Sequence, residues 1–277
     1  MRILVLVSRP DAASVNIRDR LLEIAPWTEA GGFAGLPVRE HGDFLMAEID
    51  EPHIHADGID AKMRAAGLRF DAILVASKHR AESGKPALTV HPIGNFGEAQ
   101  VGGKPQRLVP TAPRIMGRVL RRLASEAKGL AHQVTFEATH HGPYLETPTA
   151  FVEIGTDEAA WSDPDIGRRV ARAILAAATP GPADAAPVLV ALGGSHYAPR
   201  ASDLARQGRA NIGHIIPGYA IERGLSMEVA LDAIRCTPGC QGYTMDPRAV
   251  AKPPDELLQM FGTLELGWWT DEDLAAR

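Results

Sequence analysis

Gln133-Val134-Thr135-Phe136-Glu137-Ala138-Thr139-His140-His141-Gly142-Pro143 is the stretch from which the rest of the chain is best read. Apolar and polar residues alternate along it, so Val134, Phe136 and Ala138 face one side of a strand and Thr135, Glu137 and Thr139 the other. A half-buried strand thus carries a carboxylate, a hydroxyl and two imidazoles to its C-terminal end. Open α/β sheets hold ligands at that end, and imidazole with carboxylate is the usual donor set of catalytic zinc. Adjacent strand residues point to opposite faces, so His140 and His141 serve one site only if the chain turns. Gly142-Pro143 favours such a turn.

Outward from this stretch, strand-like runs recur at Ile3–Val7, Phe44–Ile49, Ala72–Ala76, Ala87–His91, Phe151–Ile154, Val188–Leu192 and Ile212–Ile216. Helical periodicity falls between them, over Val15–Ile24, Ile59–Ala66, Ala112–Lys128, Ile166–Ala178, Pro199–Arg209 and Met227–Cys236. Strand and helix alternate and several strands are wholly apolar. That pattern predicts an α/β fold: a mostly parallel or mixed sheet with helices on both faces. We expect one catalytic domain over 1–277, with the segment from Pro253 onward, including Trp268-Trp269, as a tail packed on the body. The Pro- and Gly-containing run Ala178 to Pro187 reads as a surface connection within that domain, because strand Val188–Leu192 follows at once.

Bulk properties narrow the class. Of the 277 residues 45% are hydrophobic, enough for a sizeable core. The N-terminal run Ile3–Val7 is too short for a signal peptide and reads as a buried strand, and no apolar run approaches the ~20 residues needed to cross a bilayer. Two cysteines, Cys236 and Cys240, make no disulfide framework, which fits a reducing cytoplasm. The formal net charge of −5 argues against a whole-surface nucleic-acid binder. Two helices nevertheless carry arginine arcs. Behind a Thr111 cap, Ile115, Val119 and Leu123 form an apolar stripe beside Arg114, Arg118, Arg121 and Arg122. After Ser162 or Asp163 and Pro164, the next helix buries Ile166, Val170 and Ile174 and turns Arg168, Arg169 and Arg172 outward. Each arc alone reads as a solvated face; the pair suggests a local phosphate-binding face.

Four segments join small residues to a histidine at a strand end: Ser77-Lys78-His79 running to Ser83-Gly84-Lys85-Pro86, then Thr89-Val90-His91 running to Gly94-Asn95-Phe96, then Glu137 to Gly142, and Gly193-Gly194-Ser195-His196-Tyr197. One histidine is usually structural; four at strand ends point to one pocket. Imidazole can move a proton near neutral pH or bind zinc, Glu137 and Glu153 can act as ligand or general base, and Lys78, Arg80 and Lys85 favour a phosphate or developing oxyanion. Asn95 can donate a hydrogen bond to a carbonyl. His53-x-His55 reads as a polar surface loop, while His41, His132 and His214 read as structural. Ser77 lies outside any nucleophile elbow, and no phosphate-cradling glycine motif is present.

These segments, with Phe151-Val152-Glu153-Ile154-Gly155 and Trp161, resemble the archaeal and plant type of D-aminoacyl-tRNA deacylase over residues 1 to about 220. The chain departs from some members at Ser195, where they have glycine. The resemblance implies a fold like peptidyl-tRNA hydrolase and the phosphorylases. It also implies a zinc-dependent cytoplasmic hydrolase that releases D-amino acids, D-tyrosine included, from tRNA as proofreading, with glycyl-tRNA as a further substrate. Carried onto this sequence, it makes His91, His140, His141 and His196, with Glu153, the metal-binding set. Lys78, His79, Asn95 and Glu137 become the catalytic groups. Ser77, Gly94, Phe96, Gly193, Gly194, Tyr197, Arg114, Arg118 and Arg168 become the tRNA-binding set. A metal-free route through histidine and Asn95 stays open, as does a zinc hydrolase or nucleoside-phosphorylase-like enzyme acting on a small molecule. We expect a monomer that binds neither DNA nor membrane.

Overall fold

The computed structural model describes residues 1–80, 84–250 and 252–275. Ala81, Glu82 and Ser83, part of the first glycine–histidine segment, lie outside the described residues.

Apolar runs become the centre of a mixed sheet. Its strands are β1 (Ile3–Ser8), β2 (Thr28–Phe33), β3 (Leu36–His41), β4 (Phe44–Ile49), β5 (Ala72–His79), β6 (Ala87–His91), β9 (Gln133–Phe136) and β10 (Thr149–Gly155), in the order β2-β3-β4-β1-β5-β10-β6-β9. β1 is parallel to both β4 and β5, and β5 to β10; β6 runs antiparallel to β10. The fully buried, uninterrupted apolar β1 occupies the middle, as expected of a strand covered on both faces. On one face lie α1 (Ala12–Ile24), α3 (Pro113–Glu126) and α5 (Pro164–Leu175), packed on one another. The other face is covered by α2 (Ile59–Ala65) and the loops around residues 52–58 and 141–147.

The α/β class and the helix–strand alternation hold, but the single sheet does not. Val188–Leu192 and Asn211–Ile216 (β11 and β12) form a second, all-parallel sheet with β13 (Gly242–Met245) and β14 (Gly267–Trp268), in the order β12-β11-β13-β14. A short pair, β7 (Gly94–Asn95) with β8 (Arg107–Leu108), stands apart. Helix α3 bridges the sheets by packing on α5 and on β12. Its N-cap is Ala112 rather than Thr111, which is fully buried one position earlier. Asp163 does cap α5, accepting from the Asp165 and Ile166 amides at 2.8 and 3.3 Å.

The chain after β9 joins the sheets. Glu137 bridges to Tyr197 beyond β11, and Ile93 to His140. The Thr139 amide donates to Ile215 O at 3.0 Å. The strand end that carries the histidines therefore lies in the seam between the sheets.

Candidate active site

At this seam a cavity of about 560 Å³ opens, lined by Lys78 and His79 from the end of β5, Glu153 from β10, His140 and His141 from the stretch after β9, and His196 from beyond β11. Parallel pairing of β5 with β10 sets Ser77 beside Glu153 and His79 beside Gly155. A Cβ at Gly155 would lie 2.8 Å from the His79 ring, so glycine there leaves the imidazole its place. His141 takes φ +46° and its neighbour Gly142 packs on Gly103 and Ile54 so closely that a Cβ would meet backbone at 2.2 Å. This is the turn that lets two consecutive histidines face one site.

Three imidazoles are fixed alike. Nδ1–H donates to a backbone carbonyl in His91 (Pro92 O, 3.1 Å), His140 (Ala138 O, 2.8 Å) and His141 (Gly142 O, 2.5 Å). A carbonyl can only accept, so each Nδ1 carries a proton, and in the neutral ring each Nε2 offers a lone pair. One ring nitrogen from each of the three lies within 4.8 Å of the others. His91 Nε2 faces Glu153 Oε1 and His140 Nε2 faces Glu137 Oε2, both at 3.5 Å. His91 Nε2 and both Glu137 oxygens are buried without an aligned hydrogen-bond partner. Imidazole nitrogens and carboxylates converging in this way form groups that could hold a metal ion, and tethering of the far nitrogen is how metal-binding histidines are oriented.

Charge follows the same geometry. Burial opposes ionisation of Glu137, yet the imidazoles of His196 and His79, at 3.0 and 3.1 Å, hold it well below the usual carboxylate range. Glu153 is likewise lowered against its burial by His79 and His91. Burial would discharge His79, but Glu137 and Glu153 outweigh it and push the ring up to about 11. His79 is therefore an imidazolium between two carboxylates, with Nε2–H donated to the Tyr197 hydroxyl at 2.9 Å. His91 is raised too, its burial outweighed by Glu137 and Glu153. Burial lowers His140 to about 4, assisted by His91. It lowers His141 well below its ordinary value, assisted by His140.

Other residues singled out in the sequence fall elsewhere. Asn95 donates both amide hydrogens inward, to Gly102 O and Lys104 O at 3.0 and 3.3 Å. It holds the loop whose Val101 lines the cavity rather than reaching a substrate carbonyl. A Cβ on Gly94 would meet Leu108 Cα at 2.6 Å, and Phe96 packs into the core beneath the second sheet. Gly193 and Gly194 make the tight exit from β11 at positive φ, which aims His196 and Tyr197. None of the arginines of the two arcs lines the cavity, and their partners lie within the protein. Arg118 grips Asp184 through Nε and Nη2 at 2.9 and 2.6 Å, Arg114 donates to Asp184 O, and Arg168 pairs with Glu23 at 3.3 Å.

The surface-loop reading of His53 is overturned. It is 5% exposed, lines the cavity and sits 2.9 Å from Ser77 Oγ, while His55 stays exposed. Its single-turn 3-10 setting has no periodicity for the sequence to display. Asp11 was also missed: it caps α1 and accepts from the Lys78 amide at 3.2 Å, fixing the strand that carries Lys78 and His79. Lys78 and Arg80 lie over the Trp161 ring, 5.3 and 5.4 Å from its centroid, and project cationic groups at the cavity rim. Cys236 and Cys240 are free and pack against the second sheet's core.

A family model described as D-aminoacyl-tRNA deacylase matches residues 66–266. The D-aminoacyl-tRNA deacylase of Thermoplasma acidophilum is 36% identical over 259 residues, covering 93% of this chain and 95% of that protein. That of Methanosarcina mazei is 39% identical, covering 80% and 76%. The crystal structure of a conserved protein of unknown function superposes with a TM-score of 0.88 at 31% identity, covering 96% of this chain and 94% of that one.

Proposed function

The chain belongs to the D-aminoacyl-tRNA deacylase family, and from that membership we propose how its site works. The enzyme is a hydrolase that cleaves the ester between a D-amino acid and tRNA, releasing both. Nothing in the relatives favours a small-molecule enzyme. The observation that carries the mechanism is the set of three tethered imidazoles turned on two carboxylates.

The donor set suits a borderline divalent ion such as zinc, which the Nε2 atoms of His91, His140 and His141 would hold with Glu153. When bound, zinc supplies Lewis acidity, lowering the pKa of water to about 7 and polarising a carbonyl. The remaining steps belong to the chain. Glu137, held ionised by His196 and His79, takes a proton from the attacking water. His196, 3.0 Å from Glu137 and half exposed, passes that proton to the departing ribose oxygen. His79 keeps both carboxylates charged, and Tyr197 fixes its ring. Lys78 and Arg80 hold the phosphate next to the ester, and Ser77, set by His53, borders the aminoacyl group. The 0–3% exposure of His91, Glu137 and Glu153 strengthens each of these charges by excluding water.

The enzyme acts as a cytoplasmic monomer with one catalytic domain, proofreads D-tyrosyl-tRNA and also accepts glycyl-tRNA. Among the described residues no helix is long and apolar enough to cross a membrane. The test is hydrolysis of D-tyrosyl-tRNA beside L-tyrosyl-tRNA, with chelator and with zinc restored. D-selective hydrolysis abolished by chelation and regained with zinc is expected. Chelator-resistant D-selective hydrolysis would remove the metal from the mechanism, and hydrolysis of neither ester would remove the function.

A further inference from the structure

The second sheet carries a groove with no part in the chemistry above. β11 lies between β12 and β13, all parallel, and leaves through α6 (Pro199–Arg206) to β12 on one side while β13 stands on the other. A parallel sheet whose connections diverge in this way opens a crevice outside its strand ends. Here a cleft of about 450 Å³ occupies that position, with Arg200, Arg209 and Arg248 in its walls. A neighbouring hollow of about 360 Å³ shares Arg200, Pro247 and Asp271 with it and reaches Trp268, 51% exposed.

The charges of this groove differ from those of the arginine helices. Of the four carboxylates that line the cleft and the hollow, Asp203 pairs with Arg206, Asp271 pairs with Arg200, Asp246 accepts the Arg248 amide at 3.0 Å, and Glu272 is exposed in the hollow with Trp268. Among the described residues, Arg209 and Arg248 form no ion pair, although both are exposed, and Arg200 Nε is buried without a partner. These two guanidinium groups, of which Arg209 acts on Asp271 only at longer range, beside an exposed indole form the pairing that single-stranded nucleic acid uses, phosphates on the cations and a base on the ring.

The groove is also close to the reacting centre. His196 lines the catalytic cavity and Arg200 the groove, four residues apart, so their Cα atoms stand at most about 14 Å from each other. We propose that this groove binds the single-stranded acceptor end of the tRNA, with phosphates on Arg209 and Arg248 and a base stacked on Trp268. This deepens, and rests on, the reading of the cavity as the aminoacyl-ester site. It gives the C-terminal segment a role in holding substrate.

The test compares D-tyrosyl-tRNA with D-tyrosyl-adenosine, which lacks the strand. For the pair Arg209→Glu with Arg248→Glu, and for Trp268→Ala, KM for the tRNA ester should rise about tenfold with kcat unchanged. Hydrolysis of the adenosine ester should not change, which also reports correct folding. Losing two phosphate contacts should flatten the log–log salt dependence of tRNA binding by about 1.4. An unchanged KM and salt slope would overturn the proposal, as would equal losses on both esters with an unaltered melting temperature. Should the charge variants fail to fold, the RNA tetramer ACCA titrated against the wild type decides. Quenching of indole fluorescence that Trp268→Phe abolishes supports the groove, and quenching that Trp268→Phe leaves intact refutes it. Equal quenching by AMP at the same concentration would make it a nucleotide site and refute the strand. A wild type inert on both esters would sink the deacylase reading instead, and the tetramer titration would still judge the groove.

Discussion

The cavity at the seam and the arginine faces of α3 and α5 look alike in the sequence, as clusters of chemistry-bearing side chains on periodic elements, yet the fold treats them oppositely. At the seam, His91 Nε2 and both Glu137 oxygens are buried with nothing aligned to them. On the helices, the Asp184 carboxylate takes up Arg118 and Arg121, Glu126 takes up Arg122 and Arg172, and Glu23 takes up Arg168. Buried polar atoms cost free energy unless something satisfies them, so a native protein keeps them unpartnered where a ligand completes the set. Charge that closes on itself is architecture.

The sharpest way to break this contrast is Glu137→Gln, which keeps shape and removes the charge. Loss of the proton acceptor should lower kcat by about a thousandfold, read as the single-turnover rate on D-tyrosyl-tRNA. A loss below tenfold would assign the proton to another group. His140→Ala comes next: about a hundredfold lower activity, with bound zinc falling in parallel by elemental analysis. Full zinc content in that variant would remove His140 from the ligand set.

His214 sharpens the comparison among the histidines themselves. It is fully buried near the same seam, but both ring nitrogens are satisfied: Nε2–H donates to Val109 O and the Thr139 hydroxyl donates to Nδ1, each at 3.0 Å. Burial lowers its pKa to about 3, so the folded state keeps it neutral. The unfolded chain protonates it near the ordinary histidine value of 6.5. Between those values the unfolded state binds more protons, so its contribution is complete above pH 6.5 and is lost as pH falls toward 3, by up to about 1.4 kcal/mol per unit. Chemical denaturation of His214→Gln at pH 7 and pH 5 should show a shallower acid loss than the wild type. Identical slopes would mean that other groups carry the acid sensitivity.

Much of this was legible before the fold. Alternation along Gln133–Ala138 and the apolar runs at Ile3, Ala72 and Val188 fix strands, and Gly142-Pro143 signals the turn that His141 makes at φ +46°. What the sequence withholds is set by partners distant along the chain. Asp184 sits in a short 3-10 turn, Pro182–Ala185, 66 residues from Arg118, so nothing local shows that the arc is neutralised. His53 meets Ser77 24 residues on, from a single 3-10 turn that carries no period. Thr28–Phe33 forms an edge strand from a mostly exposed, glycine-containing run, where no alternation exists to read.

The helix arginines supply the smaller effects. Arg118→Ala removes the closest cation from Asp184, leaving it the Gly181 amide at 3.1 Å and Arg121 at 3.6 Å, and should cost about 2 kcal/mol of stability with KM for tRNA unchanged. Arg168 lies at the other extreme. Its contact with Glu23 is 3.3 Å long between side chains 34% and 45% exposed, where solvent and side-chain entropy cancel most of the attraction. Arg168→Ala should therefore change stability by less than about 0.5 kcal/mol. KM and the salt dependence of tRNA hydrolysis should stay at wild-type values, because Arg168 does not line the cavity and is paired with Glu23. A rise in KM with a flatter salt slope would show that tRNA reaches over α5 after all, and that an arginine already paired within the protein can exchange its partner for a phosphate.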